Sequence, residues 1–292
     1  MSTQNSKEGS WNNVPAGTLN AVEIKLFGRE LGNQGERVIT QLHTDQKFLH
    51  KAGQFLLCGG IEPSIDQRIV RAIMGKNYFG PDDWVKFYNA SFTKKQLRAV
   101  TEFPWGEDIL SSSCPFYQGK LVRDTHFAFL GISRLNGVPL TVAKWLELHP
   151  ATGQPKFKFS QNPWHAGQPY ADEATMELKW YLMLKDIIPN STNKIPEERV
   201  AILPAEYEVP TTIAEVTKNI LVFRKTGNRP NPSRWAACTE RTVKTNTAGA
   251  AYVSCVGNFD ENGLNVNNWN GNRNDAVGVG AARKYPKQIS NT

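Results

Sequence analysis

Eight of the seventeen residues from Asn258 to Asn274 are asparagine: Asn258, Asn262, Asn265, Asn267, Asn268, Asn270, Asn272 and Asn274. The remaining 275 positions hold only 16, so the local enrichment is roughly eightfold. An amide side chain carries both a donor and an acceptor and tolerates left-handed backbone, but it is a poor helix or strand former. The segment therefore reads as a loop. It is bounded by Val253, Val256 and Phe259 before and by Val277, Val279, Ala281 and Ala282 after, it is interleaved with Leu264 and Val266, and it carries one aromatic of exposed character, Trp269. Two readings follow: a polar connection between strands, or a strip of adaptable amides on a rigid frame, which is the composition of a binding surface.

The other residues able to do chemistry are scattered. His126 sits in the apolar run DTHFAFL, and on a strand Asp124 would share its side, but there is no G-x-S-x-G nucleophile motif to use such a pair. A structural histidine is the better reading. His43, His50, His149 and His165 form no H-E-x-x-H pattern, and no metal site is expected. Cys58, Cys114, Cys238 and Cys255 contain no C-x-x-C pair, and Cys114 in SSSCPF has no base or oxyanion donor beside it, so reduced structural thiols are expected. Arg224, Lys225, Arg229 and Arg234 lie close together, yet stacking aromatics are not interleaved with them and the first two fall in the last turn of a helix. With the net charge of +7 spread along the chain, nucleic acid is not an expected partner.

The elements that must position these residues are legible in part. With 292 residues and 40% apolar content the chain can build a substantial core. Residues 1–19 read as a disordered lead, being rich in Ser, Asn and Gly without apolar periodicity. Residues 20–110 read as helix-rich: broken helical patterning over 35–57, a helix over EPSIDQRIVRAIMG with Ile65, Ile69 and Ile73 at i, i+4 and i+8, then GPDDWVKFY with Pro81 in its first turn, then KKQLRAV. Beyond residue 110, THFAFLGIS reads as a strand before an Asn136-Gly137 turn, LTVAKWLEL as a short helix, residues 150–175 as a long polar loop and ELKWYLMLKDI as a core strand. VPTTIAEVTKNILVFRKTG is the best-signalled helix, ending at Gly227. Short β-like pieces follow to the end, so the class is α+β with short antiparallel strands over 111–292. No run of about 18 apolar residues exists and the first twenty residues lack an apolar h-region, which leaves the cytoplasm, a phage particle or non-Sec export as expected locations.

The tail resembles a known family. Residues Asn262 to Asn274, followed by Val277-Gly278-Val279-Gly280-Ala281-Ala282-Arg283-Lys284, look like the C-terminal variable regions of target proteins of diversity-generating retroelements; MGKNYFGPDDW, DTHFAFL, KWYLMLKDIIPNSTNK, VPTTIAEV and RKTGNR are similar to stretches of bacterial proteins with the same tail. The resemblance implies a C-type lectin-like domain over 111–292, with a variable region at about 252–284. It also implies a non-enzymatic, cofactor-free protein that recognises varied protein or cell-surface ligands. In such systems adenines of a template are miscopied, and Asn codons carry adenines at the positions that decide the residue. The implied contacts are Asn258, Asn262, Asn265, Asn267, Asn268, Trp269, Asn270, Asn272, Asn274 and Asp275. Gly278 and Gly280 would be fixed by backbone demands and Arg283 by an internal ion pair. NRNDAVGVGAAR is also loosely similar to the ending of formylglycine-generating-enzyme-like domains, although Cys238 and Cys255 do not reproduce their copper site. A metal-dependent enzyme of that group, or a particle-tip structural protein, is the alternative. Calcium-dependent sugar binding is not expected from Gln168-Pro169-Tyr170 and the broken Trp269-Asn270…Asn274-Asp275.

Overall fold

The computed structural model describes residues 15–57, 60–150, 152–159, 163, 165–243 and 252–286. The chain divides into two compact units, Met1–Gly60 and Ile61–Thr292. The first holds helices α1 (Ala16–Glu23), α2 (Gly35–Thr44) and α3 (Gln46–Leu57). The amides of Thr18 and Leu19 close on Pro15 O, so the helix begins inside the stretch expected to be disordered, while residues 1–14 and Cys58 lie outside the described residues.

The division therefore falls at residue 60 and not near 110. The cause is packing: Met74, Trp84, Trp105 and Leu110 share one core with Phe127, Phe129 and Trp180 of the later strands. The second unit runs α4 (Ile65–Met74), β1 (Tyr78–Phe79), α5 (Pro81–Tyr88), α6 (Lys94–Ala99), α7 (Glu107–Leu110), α8 (Val122–Thr125), β2 (His126–Leu130), β3 (Arg134–Leu135), β4 (Val138–Pro139) and α9 (Val142–Leu148). It continues through α10 (Pro169–Asp172), β5 (Trp180–Leu184), α11 (Pro196–Ala201), β6 (Tyr207–Glu208), α12 (Thr212–Thr226), β7 (Trp235–Arg241), β8 (Val253–Asp260), β9 (Gly263–Trp269), β10 (Val277–Val279) and β11 (Ala282–Arg283).

Most expected elements form, and local chemistry explains why. Ser64 and Gln67 make a reciprocal capping box that starts α4. Its buried face, however, is Gln67, Val70 and Met74, while Ile65 and Ile69 are exposed. Gln67 turns the helix by donating to Val100 O, and Arg71 is held by Asp82 at 2.5 Å. Asn136 and Gly137, both at positive φ, make the tight turn between β3 and β4.

The strands form a five-stranded sheet, β1-β2-β5-β11-β6, a four-stranded sheet, β10-β7-β8-β9, and the β3-β4 hairpin. The fold is α+β, but the sheets are mixed: β1 runs parallel to β2, and β10 parallel to β7. This corrects the expectation of antiparallel strands alone. Strands β7, β8 and β9 alternate in direction, and residues 270–276 carry the chain from β9 at one edge to β10 at the other, where it enters in the direction of β7.

Helix α12 lies against β7, β8 and β9 and is buried continuously from Thr212 to Val222. Thr211 caps its start and Gly227, at φ 76°, its end. A polar seam runs through it: Lys218 Nζ meets Glu215 Oε1 at 2.5 Å with both side chains essentially inaccessible, and donates also to Leu184 O and Lys185 O.

Histidine 126 is fully buried between Thr125 Oγ1 (2.9 Å) and the Tyr207 hydroxyl (3.1 Å), and burial pushes it down to about 3. Asp124 instead accepts the amide of Leu121 at the start of α8, so the two do not form a catalytic pair. Burial likewise lowers His149 and His165 to about 4. Groups whose folded pKa is depressed bind fewer protons in the folded state, so their stability is lost as pH falls from the unfolded value near 6.5. Urea denaturation across pH 7 to 4 should show falling stability, and His126→Gln should make that slope shallower; an unchanged slope would contradict the assignment.

Candidate functional site

The first part of the Asn-rich segment is not the loop its composition suggests, and residues 270–276 form one. Asn265, Asn267 and Asn268 lie within β9, paired in register with Gly257, Cys255 and Ser254 of β8. Hydrophobic alternation outweighs the low strand propensity of asparagine here: Leu264 and Val266 point into the main core beside α12, while Trp269 joins Val253, Cys255, Ala237 and Val277 on the opposite face.

The ten implied contacts separate into groups. Asn258 and Asn262 lie at the β8-β9 turn, where Lys158 Nζ meets the Asn258 side chain at 2.5 Å and Asp260 at 2.8 Å, and Asp260 accepts the Asn262 amide. The length of β9, about 20 Å, separates them from the far group. Asn265 is buried at 7% exposure, and Trp269, read from the sequence as exposed, is buried at 5%. The Trp269 indole N–H donates to Asn272 O (2.8 Å), and the Arg199 guanidinium lies 3.9 Å over its ring. Trp269 is thus an anchor from which the next loop hangs.

The structure brings Asn267, Asn268, Asn270, Asn272, Asn274 and Asp275 to the end of edge strand β9 and the loop leaving it. Asn270, Asn272, Asn274 and Asp275 are exposed, and Asn267 and Asn268 half-buried. The backbone beneath them is held. Asn270 and Asn274 each accept an amide two residues on, from Asn272 and Ala276, as local turns. Arg273 pairs with Glu198 of α11 at 2.5 Å and donates to Asn193 O, whose own amide donates to Asn274 O.

Below this loop the frame is tight. A Cβ on Gly278 would come within 2.5 Å of Ser191 Oγ and 2.6 Å of Ile187 Cδ1, and one on Gly280 within 3.1 Å of Pro210 Cγ. Close approach therefore explains both glycines. Arg283, expected in an ion pair, instead donates to the Tyr207 hydroxyl and lies over its ring. The basic residues at 224–234 are used internally: Lys225 pairs with Asp83, Arg224 covers Phe87, Arg229 covers Phe223, and Arg234 donates to Asp275 O.

Two features were not legible in the sequence. One is Arg199, which is 1% exposed on α11 and whose sequence context, IPEER, marks only a helix start. The other is a cavity of about 230 Å³ that Arg199 lines together with Val200, Ala237, Val253, Trp269 and Val279. Cys238 packs in the main core and Cys255 in the cluster of Trp269, both are free, and burial pushes Cys255 up to about 12 and Cys238 well upward.

No protein-family model, curated protein or solved structure matches this chain. Its own structure defines it as an α+β protein of mixed sheets presenting an amide-rich strand end and loop on a buried frame. No helix among the described residues is long and apolar enough to cross a membrane.

Proposed function

We propose that this chain is a non-enzymatic ligand-binding protein with a C-type lectin-like second unit, whose amide-rich edge is diversified at the DNA level to recognise varied protein or cell-surface ligands. The observation that carries the reading is the separation of roles along residues 265–279. Side chains at Asn267, Asn268, Asn270, Asn272 and Asn274 face outward or lie at the rim, while Trp269, Val277 and Val279 are buried. A surface built this way can change its contacts without touching its core.

Replacing Asn267, Asn268, Asn270 and Asn272 together by Ser, Tyr, Asp and Tyr should therefore lower Tm by no more than about 5 °C in a thermal melt, because Asp at 270 keeps the local turn acceptor, 270 and 272 are exposed, and the half-buried 267 and 268 lie on an edge strand with room at the rim. Unfolding at room temperature would remove the separation on which the proposal rests. The decisive test is at the locus. Sequenced from many isolates, it should hold a near-copy of the codons for about residues 252–284 that differs at adenines, beside a reverse-transcriptase gene. Invariant Asn codons with no such copy would overturn the reading.

A further inference from the structure

We propose that the cavity between α11 and the face of the four-stranded sheet opposite α12 binds a small amphipathic carboxylate, with its acid group on Arg199 and its apolar body among Val200, Val253, Val279 and Trp269. The inference is independent of the recognition reading, since none of the asparagine side chains lines this cavity.

Arg199 is 1% exposed, its Nε and Nη2 donate to Ser191 O and Val277 O, and its Nη1 has no partner among the described residues. Carbonyls accept hydrogen bonds but do not neutralise a cation. Among the described residues no carboxylate lies within ion-pair distance: the adjacent Glu198 is committed to Arg273. Cys255, the neighbouring acidic group, stays protonated at neutral pH, whereas Arg199, lowered by burial to about 10, stays charged. A buried guanidinium with a free N–H and no counter-ion is costly unless a ligand supplies the anion.

The walls set the rest of the chemistry. Six of the surrounding side chains are valine, alanine or proline, and the Trp269 ring that carries Arg199 closes one side. Such walls favour an acid with a hydrocarbon body over a phosphate, which needs several donors. At about 230 Å³ the space is below the roughly 300–1,000 Å³ of drug-sized sites, which points to a short acid. Thr239 and Arg241, both exposed, stand at the rim, where a second positive charge attracts an anion.

The test is calorimetric titration of the full chain with hexanoate, 1-hexanol and inorganic phosphate. Hexanoate should bind, and hexanol should bind at least about tenfold more weakly because it leaves the charge unmatched. Ala237→Leu, which fills the cavity while leaving Arg199 in place, should abolish hexanoate binding. Arg241→Gln, at an exposed site, should weaken binding and flatten its salt dependence. Equal affinity for hexanol, phosphate binding as tightly as hexanoate, no heat from hexanoate, or undiminished binding by a folded Ala237→Leu would each overturn the proposal. The ligand comparison uses the unaltered protein and decides the matter even where a variant fails to fold.

Discussion

Lys218→Met is expected to cost about 3–5 kcal/mol of stability, or 10 °C or so in Tm, measured by urea denaturation and by calorimetry at pH 7. Lys218 Nζ is the counter-ion of Glu215 in a fully buried seam of α12, and it also satisfies Leu184 O and Lys185 O at the end of β5. A methionine fills similar volume but leaves the Glu215 charge and two carbonyls without that partner. Removing both charges in Glu215→Leu/Lys218→Met should recover much of the loss, because a buried pair exchanged for apolar packing is often neutral. The pH dependence has a definite sign. Burial raises the Glu215 pKa even with Lys218 present, and without Lys218 it rises further. A carboxyl whose folded pKa is raised takes up a proton on folding, so the stability it contributes is present at low pH and lost as pH rises through the folded value. The deficit of Lys218→Met relative to the natural chain should therefore shrink between pH 7 and pH 5. A deficit that stays constant would mean that lost packing, not the uncompensated carboxylate, dominates.

Gly257→Ala is expected to be of similar size, about 3–5 kcal/mol, with thermal melts as the readout. Gly257 sits in β8 at φ 153°, between Trp235 of β7 and Asn265 of β9. A Cβ there would overlap Arg234 O and stand 2.9 Å from Trp235 Cα, and neither atom can swing away as a side-chain tip can. The β8-β9 register shifts just after it, and Asn258 follows at φ 44° with its amide bonded to Arg234 O. Gly119→Ala supplies the control: φ is 72° and nothing lies within 4 Å, so only the backbone term of about 1–2 kcal/mol is expected. Equal losses at the two sites would show that conformational strain, not the close approach of β7, makes Gly257 necessary.

Local signals located α12 and the Asn136-Gly137 turn, because a terminal glycine and a two-residue turn are written in adjacent residues. They did not decide which side of a helix is buried. Ile65 and Ile69 are as apolar as Ile73 of the same helix, which packs against the core, yet they face solvent, since a distant carbonyl, Val100 O, takes Gln67 and Asp82 takes Arg71. Asn265, Asn267 and Asn268 show the same limit in a strand: the intervening Leu264 and Val266 pull the segment into the sheet against its own propensity.

By itself the sequence determined that a sharply bounded amide-rich segment lies between apolar flanks near the end of an α+β chain. Period and composition are properties of neighbours along the chain, so they survive without a structure. Only the tertiary structure decided that Trp269 is a buried anchor, that Asn258 and Asn262 stand a strand's length from Asn270, Asn272 and Asn274, and that Arg199 lies over the Trp269 ring beside a cavity. Arg199 is 70 positions from Trp269 and 78 from Val277, whose carbonyl it bonds. Contacts of that separation depend on how β9 and β10 are laid on either side of β7 and β8, and no local pattern encodes it.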